Sequence, residues 1–276
     1  MNAFHVKVQA IAGKVPAPRG TVDAMISFST PLRSGFAMLA SITLLLAGAS
    51  SESRADIDDI DSLTQAQFKP FARDLVSALS YKAISPAEPL GITGFDVGLG
   101  LAVIETNTDL PWGIALGSEK SYLAVPRVSL QKGLPFGIDV GGLYATIPGT
   151  GIQFFGAEVK YALVEGNVAL PAIAIRAAAT QLAGLEQLDL ETRTVELTIS
   201  KGLLNFTPYA GVGKIWGDVT PENSALKGVV KLSPESPDMV RVFAGLNFSI
   251  FLGSLAIEVE KTGDNFGAST KVGIRF

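Results

Sequence analysis

The chain has 276 residues, 47% of them hydrophobic and 17% charged, with 29 glycines, no cysteine, one histidine and a formal charge of −4. That length makes one domain, or one domain with a short extension, and the composition is too apolar and too evenly mixed for a disordered chain. Absence of cysteine excludes a disulfide framework, thiol chemistry and cysteine-held zinc, and without a basic stripe nucleic acid is not a partner.

Residues 35–49, GFAMLASITLLLAGA, form an uncharged apolar run behind Arg33, followed by Ser53-Arg54-Ala55. A basic flank, a run of this length and a small-x-small site describe a secretory signal peptide, and the run is short for a bilayer-spanning helix. Residues 1–55 are therefore read as an export region, with Met25 as the start that gives a signal of ordinary length. Cleavage after Ala55 leaves residues 56–276, a mature chain of 221 residues. It sheds Lys7, Lys14, Arg19, Arg33 and Arg54 together with Asp23 and Glu52, leaving 17 basic residues against 24 acidic ones and a charge of −7. His5 leaves with the leader, so the mature chain lacks both side chains that most often act as nucleophile or general base.

Residues 56–89 differ from the rest. DIDDID (56–61) is an acidic, solvated start. From Pro70, the residues Phe71, Leu75, Val76 and Leu79 recur at helical spacing, which predicts a short amphipathic helix over 70–81 with proline in its first turn. SPAEP (85–89) ends it.

Residues 90–276 read as ten period-2 segments. Phe95, Val97, Leu99, Leu101 and Val103 alternate with Asp96, Gly98, Gly100 and Ala102 in the first. The second carries Tyr122 to Leu130, the third Ile138 to Ala145, the fourth Phe155 to Leu163 and the fifth Ile173 to Ala178. Val195, Leu197 and Ile199 mark the sixth; the seventh, about 205–216, is ambiguous in phase, so that Lys214 fits either face. Val240 to Ile250, Leu255 to Glu260 and Ser269 to Phe276 complete the series. Such alternation places one face on an apolar phase and the other on a polar or small-residue phase. The second face is rich in glycine, alanine and serine with single charges of both signs, which suits a crowded barrel interior better than a solvated sheet. Connections alternate too: 132–135, 165–171, 201–205 and 252–254 are tight, whereas 106–118, 182–191 and 217–237 are longer, with 147–151 and 261–265 as short exceptions, as in barrels with short periplasmic turns. Trp112, Tyr122, Tyr144, Phe155 and Trp216 fall near one set of strand ends and Phe136, Phe206, Phe251 and Phe276 near the other, consistent with two interfacial belts.

The last strand, STKVGIRF, ends on Phe276. With the export signal and the strand series, it makes the chain similar to the outer-membrane β-barrel proteins of Gram-negative bacteria, without pointing to a subfamily. The resemblance implies an all-β, transmembrane, antiparallel up-and-down barrel of about ten strands over residues 90–276, in contact with outer-membrane lipid. It also implies that Thr270, Val272, Ile274 and Phe276 are the insertion signal read by the barrel-assembly machinery. Pro126 inside the second strand departs from the pattern, since a ladder donor is lost. Residues 56–89 become a periplasmic N-terminal segment with a short helix, either capping that mouth or inserting as a plug, and the stripe Phe71, Leu75, Leu79 needs a partner.

Barrels of this superfamily that act as enzymes generally use a histidine, so no enzyme, cofactor or metal site is expected. Glu258 and Glu260 project the same way from one strand, roughly 7 Å apart, and are read as lumen carboxylates balanced by basic neighbours. The expected inward charges are Asp96, Arg127, Asp139, Glu158, Lys160, Arg176, Glu196, Arg241, Glu258, Glu260, Lys271 and Arg275. They either line a narrow pore or transporter for a small solute, or pair and close the lumen, leaving a structural or adhesive barrel that acts through its extracellular loops, chiefly 217–237.

Overall fold

The computed structural model describes residues 60–106, 122–147, 152–185, 187–222 and 231–276. The export region, most of the acidic start, Trp112, most of the 106–118 connection and the middle of the 217–237 loop fall outside them.

The ten strands are β1 Phe95–Glu105, β2 Tyr122–Gly133, β3 Ile138–Thr146, β4 Gln153–Val164, β5 Ala172–Ala183, β6 Leu188–Ser200, β7 Phe206–Pro221, β8 Asp238–Ile250, β9 Gly253–Thr262 and β10 Asn265–Arg275. Each pairs antiparallel with its sequence neighbours, and β1 pairs with β10 to close the barrel. Closure removes the unpaired edges that an open sheet would present. At the seam the Phe95 N–H donates to the Phe276 carbonyl at 2.8 Å, and the return bond is 3.0 Å. Ile274 and Phe276 stand exposed on the outer wall, with Thr270 and Val272 half-buried on the same face.

The alternation is plainest in β6, where Val195, Leu197 and Ile199 face outward and Thr194, Glu196 and Thr198 face inward. In β7, Lys214 faces outward and Ile215 inward. Strands β5 to β7 outrun their sequence signal. The expected 182–191 loop is a connection of residues 184–187, and the 217–237 loop begins only after Pro221. Beyond the apolar belt the outward positions become Gln181, Glu191, Arg193 and Asp218. The ladder continues there, but the contrast between faces is reversed, with Leu182, Leu188, Leu190 and Val219 turned inward.

The connections 134–137, 165–171, 201–205 and 251–252 gather with Phe276 at one end, the turn end; the others make the loop end. Preceding the barrel, a 3-10 turn (Ile60–Ser62) leads into helix α1, Gln65–Leu79. The helix starts five residues before the predicted Pro70 because the Gln67 side chain accepts from the Thr64 N–H at 2.9 Å, capping it there. Pro70 lies inside the helix.

The structure places α1 within the loop-end half of the lumen. The Gln65 amide bonds the Glu235 carboxylate at 2.7 Å, and Asn265 donates to Asp74 at 2.7 Å. Leu79 ends the helix with its carbonyl on the Thr180 hydroxyl at 2.9 Å. The cause is the distribution of inward apolar residues. Leu123, Leu143, Phe154, Leu190, Ile215, Val219 and Met239 all lie toward the loop end and form one core with Phe68, Phe71, Leu75 and Leu79. Close approach is possible because β7 carries Gly217 opposite Val76, where a Cβ would come within 2.3 Å of a valine methyl.

Candidate functional site

Below the helix, residues 80–94 run down the lumen to the turn end and enter β1. The Lys82 ammonium meets Glu260 at 2.8 Å. Ser85 accepts from Arg176 at 3.0 Å, the Ala87 N–H donates to Ser200 at 3.0 Å and the Leu90 N–H to Asp139 at 3.1 Å. Tyr81 packs over Gly156, where a Cβ would lie 2.7 Å from the ring.

The wall answers with a connected set of ions. Glu258 and Glu260, two apart on β9, share one face, and Arg241 of β8 reaches both at 2.5 and 2.6 Å. The same guanidinium pairs with Glu196 and lies over the Phe243 ring at 4.3 Å. Glu196 continues the chain to Arg176 at 3.2 Å, and Arg176 to Glu158 at 2.7 Å. Gln131 donates to the remaining Glu158 oxygen at 2.5 Å. Nearer the turn end, Lys160 pairs with Asp139 at 2.8 Å and donates to the Glu88 carbonyl at 3.0 Å. Lys271 and Arg275 flank Asp96 at 2.9 and 3.6 Å. Arg127 donates to the Lys82 carbonyl at 3.4 Å.

Asp96, Arg127, Asp139, Glu158, Lys160, Arg176, Glu196, Arg241, Glu258, Glu260 and Lys271 are thus all buried within the barrel, and Arg275 lies at the lower rim. They face one another and the threaded segment rather than open water. Removing ions from water is unfavourable unless each is paired and hydrogen-bonded, and here carboxylates and cations interlock across five strands, with Arg127 outside the pairs and held by the Lys82 carbonyl. Sequence reading missed Lys82, Ser85 and Gln131. YKAISP has no period, so a lysine there reads as solvated, and small polar side chains give no sign of a partner.

The two glutamates of β9 are held by Arg241 and Lys82, so neither stands as a free base. Among the described residues no cluster of three His, Cys, Asp or Glu is arranged to hold a metal.

Outside, the polarity is reversed. Val97, Leu101, Val128, Leu130, Val159, Leu197, Val242, Ile257 and Val259 are exposed around the wall. Charges within and a continuous apolar surface without are the inverse of a water-soluble barrel. The arrangement is that of a transmembrane β-barrel. The barrel carries aromatic pairs near both rims, Tyr144 with Phe155 (5.1 Å between ring centres) toward the loop end and Phe206 with Phe248 (4.9 Å) toward the turn end. Tyr122 and Trp216 are also exposed at the upper rim.

No protein-family model and no curated protein matches the chain. Among solved structures the barrel is similar to the outer membrane protein OprG from Pseudomonas aeruginosa, at 12% identity over 70% of this chain and 99% of that one, with a TM-score of 0.33. It is similar to the KdgM porin at 9% identity (66% and 99% covered, TM-score 0.33). A third is Ail of Yersinia pestis in complex with the heparin analogue sucrose octasulfate, at 12% identity (66% and 97%, TM-score 0.30). At such identities the likeness is one of fold and carries no function with it.

Proposed function

We propose that this outer-membrane barrel rests closed, with its own N-terminal segment as the stopper, and acts through the surface it presents at the loop end rather than through a standing pore. One observation carries the reading: Lys82, from the threaded segment, is buried against Glu260 inside the same ion network that closes on Arg241. The charges that would line a channel are engaged with the stopper and with each other. The mature chain's lack of histidine and cysteine favours binding or structure over catalysis. At the loop end, Gln65 of the helix and Ser233 and Glu235 of the β7–β8 loop make one hydrogen-bonded surface.

Conductance in a planar bilayer tests this. Refolded residues 56–276, verified as a barrel by heat-shifted gel mobility, are expected to be silent, and steady openings would overturn the closed reading. Sidedness tests the route of the segment. With short turns in the periplasm, Ser62 lies on the outer side. In this cysteine-free chain a Ser62→Cys variant is expected to react with a membrane-impermeant maleimide in intact cells, as Asp264→Cys does, whereas Phe136→Cys reacts only after permeabilisation.

A further inference from the structure

The turn end carries an unusual set of tips. Each of its four connections presents a fully exposed apolar side chain: Phe136 at 89%, Val168 at 99%, Leu204 at 104% and Phe251 at 100%. Phe136, Leu204 and Phe251 hold φ of +65°, +57° and +53°. In that region a bulky side chain crowds its own backbone, and glycine or asparagine is the easier choice. A turn facing water gains nothing from a strained phenylalanine.

Backbone carbonyls at this end are served from within the protein, in the 165–171 connection and where the N-terminal segment enters β1 beside the end of β2. Lys201 donates to the carbonyls of Asn167, Val168 and Leu170 at 2.8, 2.7 and 3.2 Å. Lys132 donates to the carbonyls of Ile92, Gly94 (3.3 Å) and Gly133 (2.8 Å). The Asn167 side-chain oxygen accepts from the N–H groups of Ala169 and Leu170 at 2.8 and 2.9 Å. Carbonyls in water have no need of a lysine; carbonyls at membrane depth do.

The height of the apolar belt agrees. Arg193 of β6 and Lys201 just past its end, both outward, bracket Val195, Leu197 and Ile199. Eight residues of a strand tilted by about 40° rise only about 20 Å, short of the roughly 25 Å band of such barrels. With Lys201 drawn onto carbonyls, the belt continues through Leu203 and Leu204 to the tips.

We propose that the turn end is a lipid-binding surface: its four tips enter the interfacial layer of the periplasmic leaflet, and Lys132 and Lys201 turn their ammonium groups back onto backbone carbonyls at that end rather than out to water. The proposal rests on the membrane reading of the wall, so the test carries its own reference. Phe251→Trp, Leu204→Trp and, on the wall, Leu197→Trp are made with Trp112 and Trp216 replaced by Phe. Each is refolded as residues 56–276 into phosphatidylcholine vesicles with brominated acyl chains, and heat-shifted mobility confirms the barrel. The tip tryptophans are expected to emit at short wavelength and to lose most of their emission to brominated lipid, as the wall tryptophan does. Tip emission typical of water, quenched by iodide and not by brominated lipid beside a quenched Leu197→Trp, overturns the proposal and leaves the membrane reading standing. An unquenched Leu197→Trp overturns both.

Discussion

The two halves of the lumen are filled by the same N-terminal segment in opposite ways. Toward the loop end α1 seals by shape: Phe68, Phe71, Leu75 and Leu79 meet apolar wall residues, and Gly217 admits Val76. Toward the turn end the segment is extended, and ions and backbone hydrogen bonds hold it: Lys82 on Glu260, Ser85 on Arg176, Ala87 on Ser200, Leu90 on Asp139. An apolar seal tolerates small shifts, because dispersion and burial are non-directional. A buried ion network does not, since one missing partner leaves a charge without compensation. The polar half therefore specifies the register of the segment, while the apolar half supplies much of the drive to occupy the lumen.

That contrast breaks first at Arg241. Replacing it with methionine takes a cation from three buried carboxylates: Glu258 loses its ion-pair partner, and Glu196 and Glu260 are left with Arg176 and Lys82. A loss of about 3–5 kcal/mol is expected, read as the urea midpoint of the refolded barrel. If charge stranding is the cause, Lys82→Met is also destabilising, and adding Glu260→Gln to it restores part of the loss.

Leu75→Ala probes the other half. Leu75 is buried in the apolar core of the seal, and truncation is expected to cost about 3 kcal/mol. The distinguishing readout is salt. Raising ionic strength should leave the penalty of Leu75→Ala unchanged, and a salt-dependent penalty would mean that the helix is held by charge after all.

Overfilling gives a smaller effect. Gly217→Ala introduces a methyl against Val76 at a spacing that cannot be kept, so the helix must shift. The expected cost is about 1–3 kcal/mol, and pairing the change with Val76→Ala should recover most of it.

How much of this was legible beforehand follows from what a side chain can signal. Period-2 contrast located ten strands and the inward set from Asp96 to Lys271, because a β-strand side chain has only two directions to point. It failed in β7, where Gly211, Gly213 and Gly217 have no side chain to mark a face, and at 182–191, where the pattern inverts above the belt, with Leu182, Leu188 and Leu190 inward and Gln181, Asp189 and Glu191 outward. The stripe Phe71, Leu75, Leu79 showed that the segment needed an apolar partner but not which mouth held one. That depended on inward residues such as Phe154, Ile215 and Met239, scattered over three strands and recognisable as one surface only once the barrel closes. Lys82 left no trace, since a single lysine in an aperiodic stretch looks the same whether it meets water or a buried glutamate.

The smallest expected effect completes the comparison from outside the lumen. Lys214 and Asp238 pair at 2.7 Å, as close as Lys160 and Asp139, yet their side chains are 45% and 62% exposed whereas the inner pair is buried. Beside Trp216 at the upper rim, where water and salt reach it, the outer pair is screened, and its two side chains must give up rotamer freedom to meet. Lys214→Ala is expected to leave the urea midpoint where it was, whereas Lys160→Ala, at matched distance and opposite burial, lowers it clearly. An equal response of the two variants would mean that distance rather than desolvation governs the lumen ions. The interlocked network around Arg241 would then be a row of independent contacts, and the register of the threaded segment would need another cause.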